Sequence, residues 1–176
     1  MDPLDLYKRA SDWTAEKVKG VAKGDLDVQT PCNEWKARDL INHLLEGNRY
    51  FTDAARGKQG ALPQGQPTDL LSDDPLAQYK ESRDAALAKF SEPGVVEKMG
   101  MQVGLMFVEQ LVHGWDLAKA TDQDTKMPGD LAEAAFKMMD GRMSDEQRGS
   151  FFGLAVKVAD DASAQDKLLA YSGRTP

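Results

Sequence analysis

The chain holds only two histidines, His43 and His113, and one of them stands four residues after a glutamate, Glu109. In an α-helix, residues at i and i+4 share a face, so Glu109 and His113 can aim a carboxylate oxygen and an imidazole nitrogen at one point. Their surroundings are apolar. From Met101 to Ala118 the polar side chains are Gln102, Glu109, Gln110, His113 and Asp116, and no Lys or Arg lies between Lys98 and Lys119. A helix apolar on nearly every side is buried, and an ionised carboxylate there is costly unless a cation compensates it. His43 has Leu40, Leu44 and Gly47 as neighbours at helical spacing. It is therefore expected to face inward too, with Gly47 leaving room above the imidazole.

Two imidazoles and a carboxylate from two facing helices make a three-ligand set with open positions. That is the pattern of a catalytic rather than a structural divalent-metal site. A reading without metal stays open at this point, with Glu109 paired to Arg38 or Arg49 and the histidines serving as hydrogen-bonded core residues. Asp116 lies on the same stripe, where it would orient a ligand, act as a fourth oxygen donor, or make a structural hydrogen bond. The Glu-x-x-x-His spacing occurs once and differs from the Glu-x-x-His of di-iron bundles, which argues against a dinuclear site. Cys32 is expected to pack as a small hydrophobe, with no third histidine free to activate it. Trp13, Trp35 and Trp115 are expected as core or pocket-rim aromatics.

The elements that must position these groups are helical. Asp2-Pro3 reads as a cap and first turn, opening a helix to about Val21. A second helix is predicted over about Ala37 to Arg56, closed by Gly57. The connector Thr30-Pro31-Cys32-Asn33-Glu34-Trp35 before it has turn chemistry. Gly60 to Pro67 reads as a loop. A third helix starts at Asp74-Pro75 and ends before Pro93, a fourth spans about Met101 to Ala120, and a fifth about Leu131 to Met139. Ser144-Asp145-Glu146-Gln147 can cap a short further helix. The alternation Val156-Lys157-Val158 is too short for a sheet, and a last helix is expected near Ala164 to Tyr171. Four long helices with short connections argue for an all-α antiparallel bundle with C-terminal additions.

Composition narrows the function. The 176 residues suit one domain, and the formal net charge of -7, with a pI near 4.9, repels phosphate backbones, so nucleic acid is not an expected partner. No apolar run reaches the roughly 18 residues that a membrane helix needs. The acidic N-terminus lacks a signal-peptide pattern. The single cysteine cannot form an internal disulfide, so a reducing cytoplasm is expected.

Taken together, Thr30-Pro31-Cys32-Asn33-Glu34-Trp35, Arg38-Asp39-Leu40 and Asn42-His43-Leu44 resemble the start of the second helix in DinB-like proteins. More closely, they resemble the actinobacterial branch related to the N-terminal domain of mycothiol-dependent maleylpyruvate isomerase. The run from Glu109 through His113-Gly114-Trp115-Asp116-Leu117-Ala118 is similar to that branch's metal helix. The tail is similar as well, through Phe152-Gly153, Asp160-Asp161-Ala162, Leu168-Leu169-Ala170 and Gly173-Arg174. The resemblance implies an up-down-down-up four-helix bundle over 1–176 as a single domain. It also implies a divalent metal, zinc or in some relatives nickel, between the second and fourth helices.

By resemblance the ligand roles fall on His43, Glu109 and His113, and the substrate is a small molecule of the low-molecular-weight thiol class, such as mycothiol or bacillithiol. The implied activity is thiol transfer or isomerisation, and a homodimer is an expected assembly. The isomerase carries a further C-terminal domain for which this length is expected to leave no room. Two other functions stand beside this one. The first is a non-catalytic metal-binding or stress-response bundle in which the ion only braces the helices. The second, a 2-His-1-carboxylate iron oxygenase, fits the resemblance less well.

Overall fold

The predicted periods become six α-helices among the described residues of a computed structural model, which describes residues 1–142, 148 and 152–176. They are α1 (Pro3–Gly20), α2 (Ala37–Ala55), α3 (Pro75–Phe90), α4 (Val95–Ala120), α5 (Gly129–Met139) and α6 (Ala164–Tyr171). Ser144 to Gln147, expected to cap a short helix, lie outside the described residues. No described helix is long and apolar enough to cross a membrane. The chain divides into two compact units, Met1–Thr125 and Lys126–Pro176.

Local chemistry explains the boundaries. Asp2 caps α1 by accepting from the Leu4 amide, and Pro3 takes the first turn, where a missing N–H costs nothing. Asp74 caps α3 in the same way through the Ala77 amide, ahead of Pro75. Gly57, at φ +80°, closes α2 in the left-handed region that favours glycine. α4 begins at Val95, six residues before the expected Met101, and bends at Met99, where φ is -116° and ψ is 15°. The turn ahead of that bend lies off the apolar stripe, which is why periodicity placed the start later. α4 is also less enclosed than its composition suggests. Met101 and Leu105 are exposed, and burial is general only from Met106 onward.

Direction follows from side-chain partners in the first unit. α1 and α4 run parallel. The Thr14 hydroxyl donates to the Gln110 carbonyl at 2.7 Å, and Lys17 Nζ, further along α1, reaches the Asp124 carbonyl just past the end of α4. Tyr7 meets Phe90 edge to face, whereas Asp12 pairs with Arg83, so α1 and α3 are antiparallel. Asn42 binds the Leu70 amide and Asn48 donates to Ser82, so α2 runs with α3. The order is up-down-down-up.

The apolar core includes Val18, Leu40, Ile41, Leu44, Leu45 and Leu117, all buried. A polar seam threads it. Tyr7 donates to Asn48 Oδ1 at 2.8 Å, and Tyr79 donates to Gln110 Oε1. Burial pushes both phenol hydroxyls well above their ordinary range, so each stays a donor. The loop after α2 is tied down at its far end by buried Asn42, which holds Asp69 and Leu70, and by Glu46, which accepts from the Thr68 amide.

In the second unit α5 packs on α6. Ser163 caps α6 through the Asp166 amide. Gly153 and Gly173 approach so closely that a Cβ on Gly173 would stand 2.7 Å from the Gly153 Cα. Val156 makes one backbone bond to Ala170, and 156–158 form no strand, as the short alternation implied.

The register of α4 depends on its approach to α1 at Gly114. A Cβ there would lie 2.6 Å from the Trp13 ring and 2.7 Å from Thr14 Oγ1, and real Cβ atoms do not tolerate such distances. Gly114→Val should therefore cost about 2 kcal/mol, overpacking outweighing the small gain in helix propensity. Urea denaturation measures this, and a variant as stable as the parent would show that the contact does not constrain the bundle.

Candidate metal centre

Helices α2 and α4 bring the two histidines and Glu109 together. His43 Nε2 lies 2.7 Å from Glu109 Oε1, across 66 residues of sequence. The His43 and His113 rings meet edge to face with centroids 5.0 Å apart. One donor atom from each of His43, Glu109 and His113 falls within 4.8 Å of the others. The arginine pairing left open for Glu109 is not what forms. Its ion-pair partner is His43, while Arg38 turns to Asp27 and Asp69.

The burial of the set differs from expectation. The Glu109 side chain keeps 29% exposure and His113 keeps 12%. The carboxylate thus sits at the edge of the bundle, where water offsets part of the cost of its charge. Burial pushes the Glu109 carboxyl up, but the field and hydrogen bond of His43, joined by the field of His113, bring it below the ordinary carboxylate range. Gly47 does leave room, though beside Glu109. A Cβ there would make ordinary contact at 3.5 Å with Glu109 Oε2, so a larger side chain would crowd that carboxylate.

Asp116 lies one turn beyond His113 and is fully buried. Its Oδ2 stands 3.1 Å from His113 Nδ1 and accepts the N–H. With Nδ1 turned to Asp116, the nitrogen that remains to His113 is Nε2. A carboxylate behind a histidine in this way fixes the tautomer and raises the basicity of the other nitrogen.

Two residues of the connector reach the centre: Trp35, expected as a core or pocket-rim aromatic, and Cys32, expected only to pack. The connector 30–35 is a knot of hydrogen bonds. Trp35 N–H binds the Cys32 carbonyl at 2.8 Å, and the Thr30 hydroxyl binds the Trp35 carbonyl at 2.7 Å. This turn lays the Trp35 indole over His43, with ring centroids 4.5 Å apart, and within 5.9 Å of His113. It also brings Cys32 Sγ to 3.4 Å from Asp116 Oδ2 and 4.0 Å from His113 Nδ1. Cys32 therefore does more than pack. The sequence signals for both residues were their place in the resembling motif 30–35 and a turn immediately ahead of the helix that carries His43. Of the other tryptophans, Trp13 lies against Gly114 and Trp115 is buried beneath Lys119. A cavity of about 280 Å³ between α2 and α3, lined in part by Arg49, Arg56 and Ser82, contains none of these donors.

The donor set fits a divalent cation. Oxygen and nitrogen donors at about 2.0–2.1 Å from a tetrahedral ion stand roughly 3.3 Å apart. The His43–Glu109 contact would need to open by only about 0.6 Å for an ion to replace the shared proton. Two imidazoles with one carboxylate suit zinc, nickel or iron better than magnesium or calcium, which prefer all-oxygen sets.

Comparison with known proteins adds three findings. A family model described as the mycothiol maleylpyruvate isomerase N-terminal domain matches residues 7–118, a span that holds every residue of this centre. Two proteins of Mycobacterium tuberculosis described as uncharacterised, from strains CDC 1551 / Oshkosh and H37Rv, are each 29% identical to the chain over 187 residues. They match over 99% of the chain and 99% of the relative. No solved structure matches.

The depressed Glu109 carboxyl has a stability consequence with a definite sign. Its folded value lies below its unfolded one, so its contribution is present above the ordinary carboxylate range and lost as pH falls through the folded value. With chelator present, the stability difference between the parent and Glu109→Gln should shrink as pH is lowered through the acid range. Denaturation across pH reads this, and a difference that widens on acidification would contradict the assignment.

Proposed function

The chain belongs to the family of the mycothiol maleylpyruvate isomerase N-terminal domain, within the DinB-like superfamily, and from that premise we propose that it binds one divalent cation through His43, Glu109 and His113 to act on a low-molecular-weight thiol. The observation that carries this reading is the meeting of His43 Nε2 and Glu109 Oε1 at 2.7 Å with His113 beside them. The donor set alone suits zinc, nickel or iron, and the resemblance to DinB-like proteins favours zinc, with nickel the alternative. When bound, an ion held by one carboxylate and two neutral imidazoles retains positive charge, and that favours a thiolate over a thiol.

The chain's own residues prepare this chemistry. Glu109 supplies the one negative charge among the three ligands. Asp116 holds the Nδ1 proton of His113 and so leaves Nε2 unprotonated for the centre. Trp35 covers the His43 ring and keeps water from one side of it. The exposed side of Glu109 leaves an approach for a small molecule. The family description names mycothiol, and this supports a thiol of that class as substrate in a transfer or isomerisation. The single-domain organisation of residues 1–176, a homodimeric assembly, and a reducing cytoplasmic setting in which Cys32 stays a thiol belong to the same proposal.

Protein purified without a chelating column should carry close to one equivalent of zinc or nickel by elemental analysis. His43→Ala and His113→Ala should each abolish that content, because the two ligands come from different helices. Glu109→Gln keeps the shape but removes the charge, and should weaken binding about tenfold or more. A chelator should lower the melting temperature of the parent, since the ion binds only the folded chain. Adding a low-molecular-weight thiol to the cobalt-loaded protein should produce a sulfur-to-cobalt absorption band. Protein that carries no metal, takes up neither zinc nor nickel and melts identically with chelator would overturn the metal reading. A loaded protein whose spectrum ignores added thiol would overturn the thiol reading alone.

A further inference from the structure

His113 faces two ways, and its second face carries a donor set of its own. Cys32 Sγ, Asp116 Oδ2 and His113 Nδ1 lie 3.4, 3.1 and 4.0 Å apart in the pairs Cys32–Asp116, His113–Asp116 and Cys32–His113. A tetrahedral zinc-like ion with metal–sulfur near 2.3 Å and metal–nitrogen near 2.0 Å sets its donors roughly 3.3–3.5 Å apart. The three distances bracket that value without any rearrangement of the backbone. The set joins α4 to the turn 30–35, whose hydrogen bonds fix Cys32 in place. Both groupings, this one and His43–Glu109–His113, emerge as candidate metal-holding sets among the described residues.

We propose that Cys32, Asp116 and His113 Nδ1 form a separate binding site for a thiophilic divalent cation such as cadmium, and that it cannot be filled together with the His43–Glu109–His113 centre. Two features point to a soft ion. The thiolate is the softest donor a protein offers, and a thiolate with a carboxylate balances a divalent charge. That balance suits a place where Asp116 is fully buried. The protons account for the exclusion. On binding, the S–H proton leaves to solvent and the Nδ1 proton of His113 gives way to the ion, so a neutral ring must carry its proton on Nε2. That proton occupies the lone pair which the first centre needs. A neutral imidazole has one free lone pair, so whichever ion holds His113 bars the other. The site does not depend on the first centre being occupied in the cell.

The test is a cadmium titration of the chelator-treated full chain in a phosphine reductant, read by the ultraviolet charge-transfer band of a cadmium–thiolate bond. Cys32 is the chain's single cysteine, so the band reports that residue alone. The band should saturate at one equivalent. It should vanish in Cys32→Ser, whose fold is checked by circular dichroism, and persist in His43→Ala. Asp116→Asn and His113→Gln should each weaken it about tenfold or more. Absence of the band in the parent would overturn the proposal, as would a band indifferent to Asp116→Asn and His113→Gln. Saturation at two equivalents would also overturn it, because the shared imidazole forbids that. Loss of zinc binding in His43→Ala with the cadmium band retained would separate this site from the first centre.

Discussion

The hydrogen bond from His43 on α2 to Glu109 on α4 is the contact on which the rest of the centre depends. It places a carboxylate where the helix around it offers no lysine or arginine, and it makes an imidazole the carboxylate's partner. Such a pair is weak support for a bundle, because desolvating an ion pair costs as much as its attraction returns. On the proposed reading it is a place held ready for a cation. A proton now bridges two donors that a divalent ion could share after a shift of about 0.6 Å. The packing beneath enforces the position. Gly114 brings α4 against Trp13 and Thr14, and the Tyr7–Asn48 and Tyr79–Gln110 bonds tie the other helices to the same register.

A second constraint comes from the turn 30–35. It is short and dense in backbone hydrogen bonds, and it sets both an indole over His43 and a thiol beside Asp116. Asp116 is thereby shared. It receives the Nδ1 proton of His113 on one side and the Cys32 thiol proton on the other. The tautomer of a single imidazole thus links a half-exposed set of nitrogen and oxygen donors to a more enclosed set that includes sulfur. On the proposed reading, donor type would set the choice between harder and softer ions at the two sets, and proton positions would decide which set is filled.

Much of this was legible in the sequence, for physical reasons. Helical faces repeat every 3.6 residues, so Glu109, His113 and Asp116 could be placed on one stripe, and His43 on an inward face, before any coordinates. Caps such as Asp2-Pro3 and Asp74-Pro75 marked helix starts closely, and the last helix runs over the expected Ala164 to Tyr171. Periodicity failed where structure has no period. The first turn of α4 lies beyond a bend and off the stripe, so its start was placed late. Cys32 and Trp35 act from a turn, whose direction depends on hydrogen bonds that no spacing rule encodes. The partial exposure of Glu109 was missed because composition along α4 describes an average over all faces, whereas Met101, Leu105 and Glu109 follow at i, i+4 and i+8 on the one face left open.

The most direct measurement is an anomalous difference map, collected at the zinc absorption edge, from crystals of the zinc-loaded protein. The account predicts one strong peak within coordination distance of His43 Nε2, a Glu109 carboxylate oxygen and His113 Nε2, with Asp116 still hydrogen-bonded to Nδ1. A map with no peak between these three side chains, in crystals whose protein contains zinc, would contradict it.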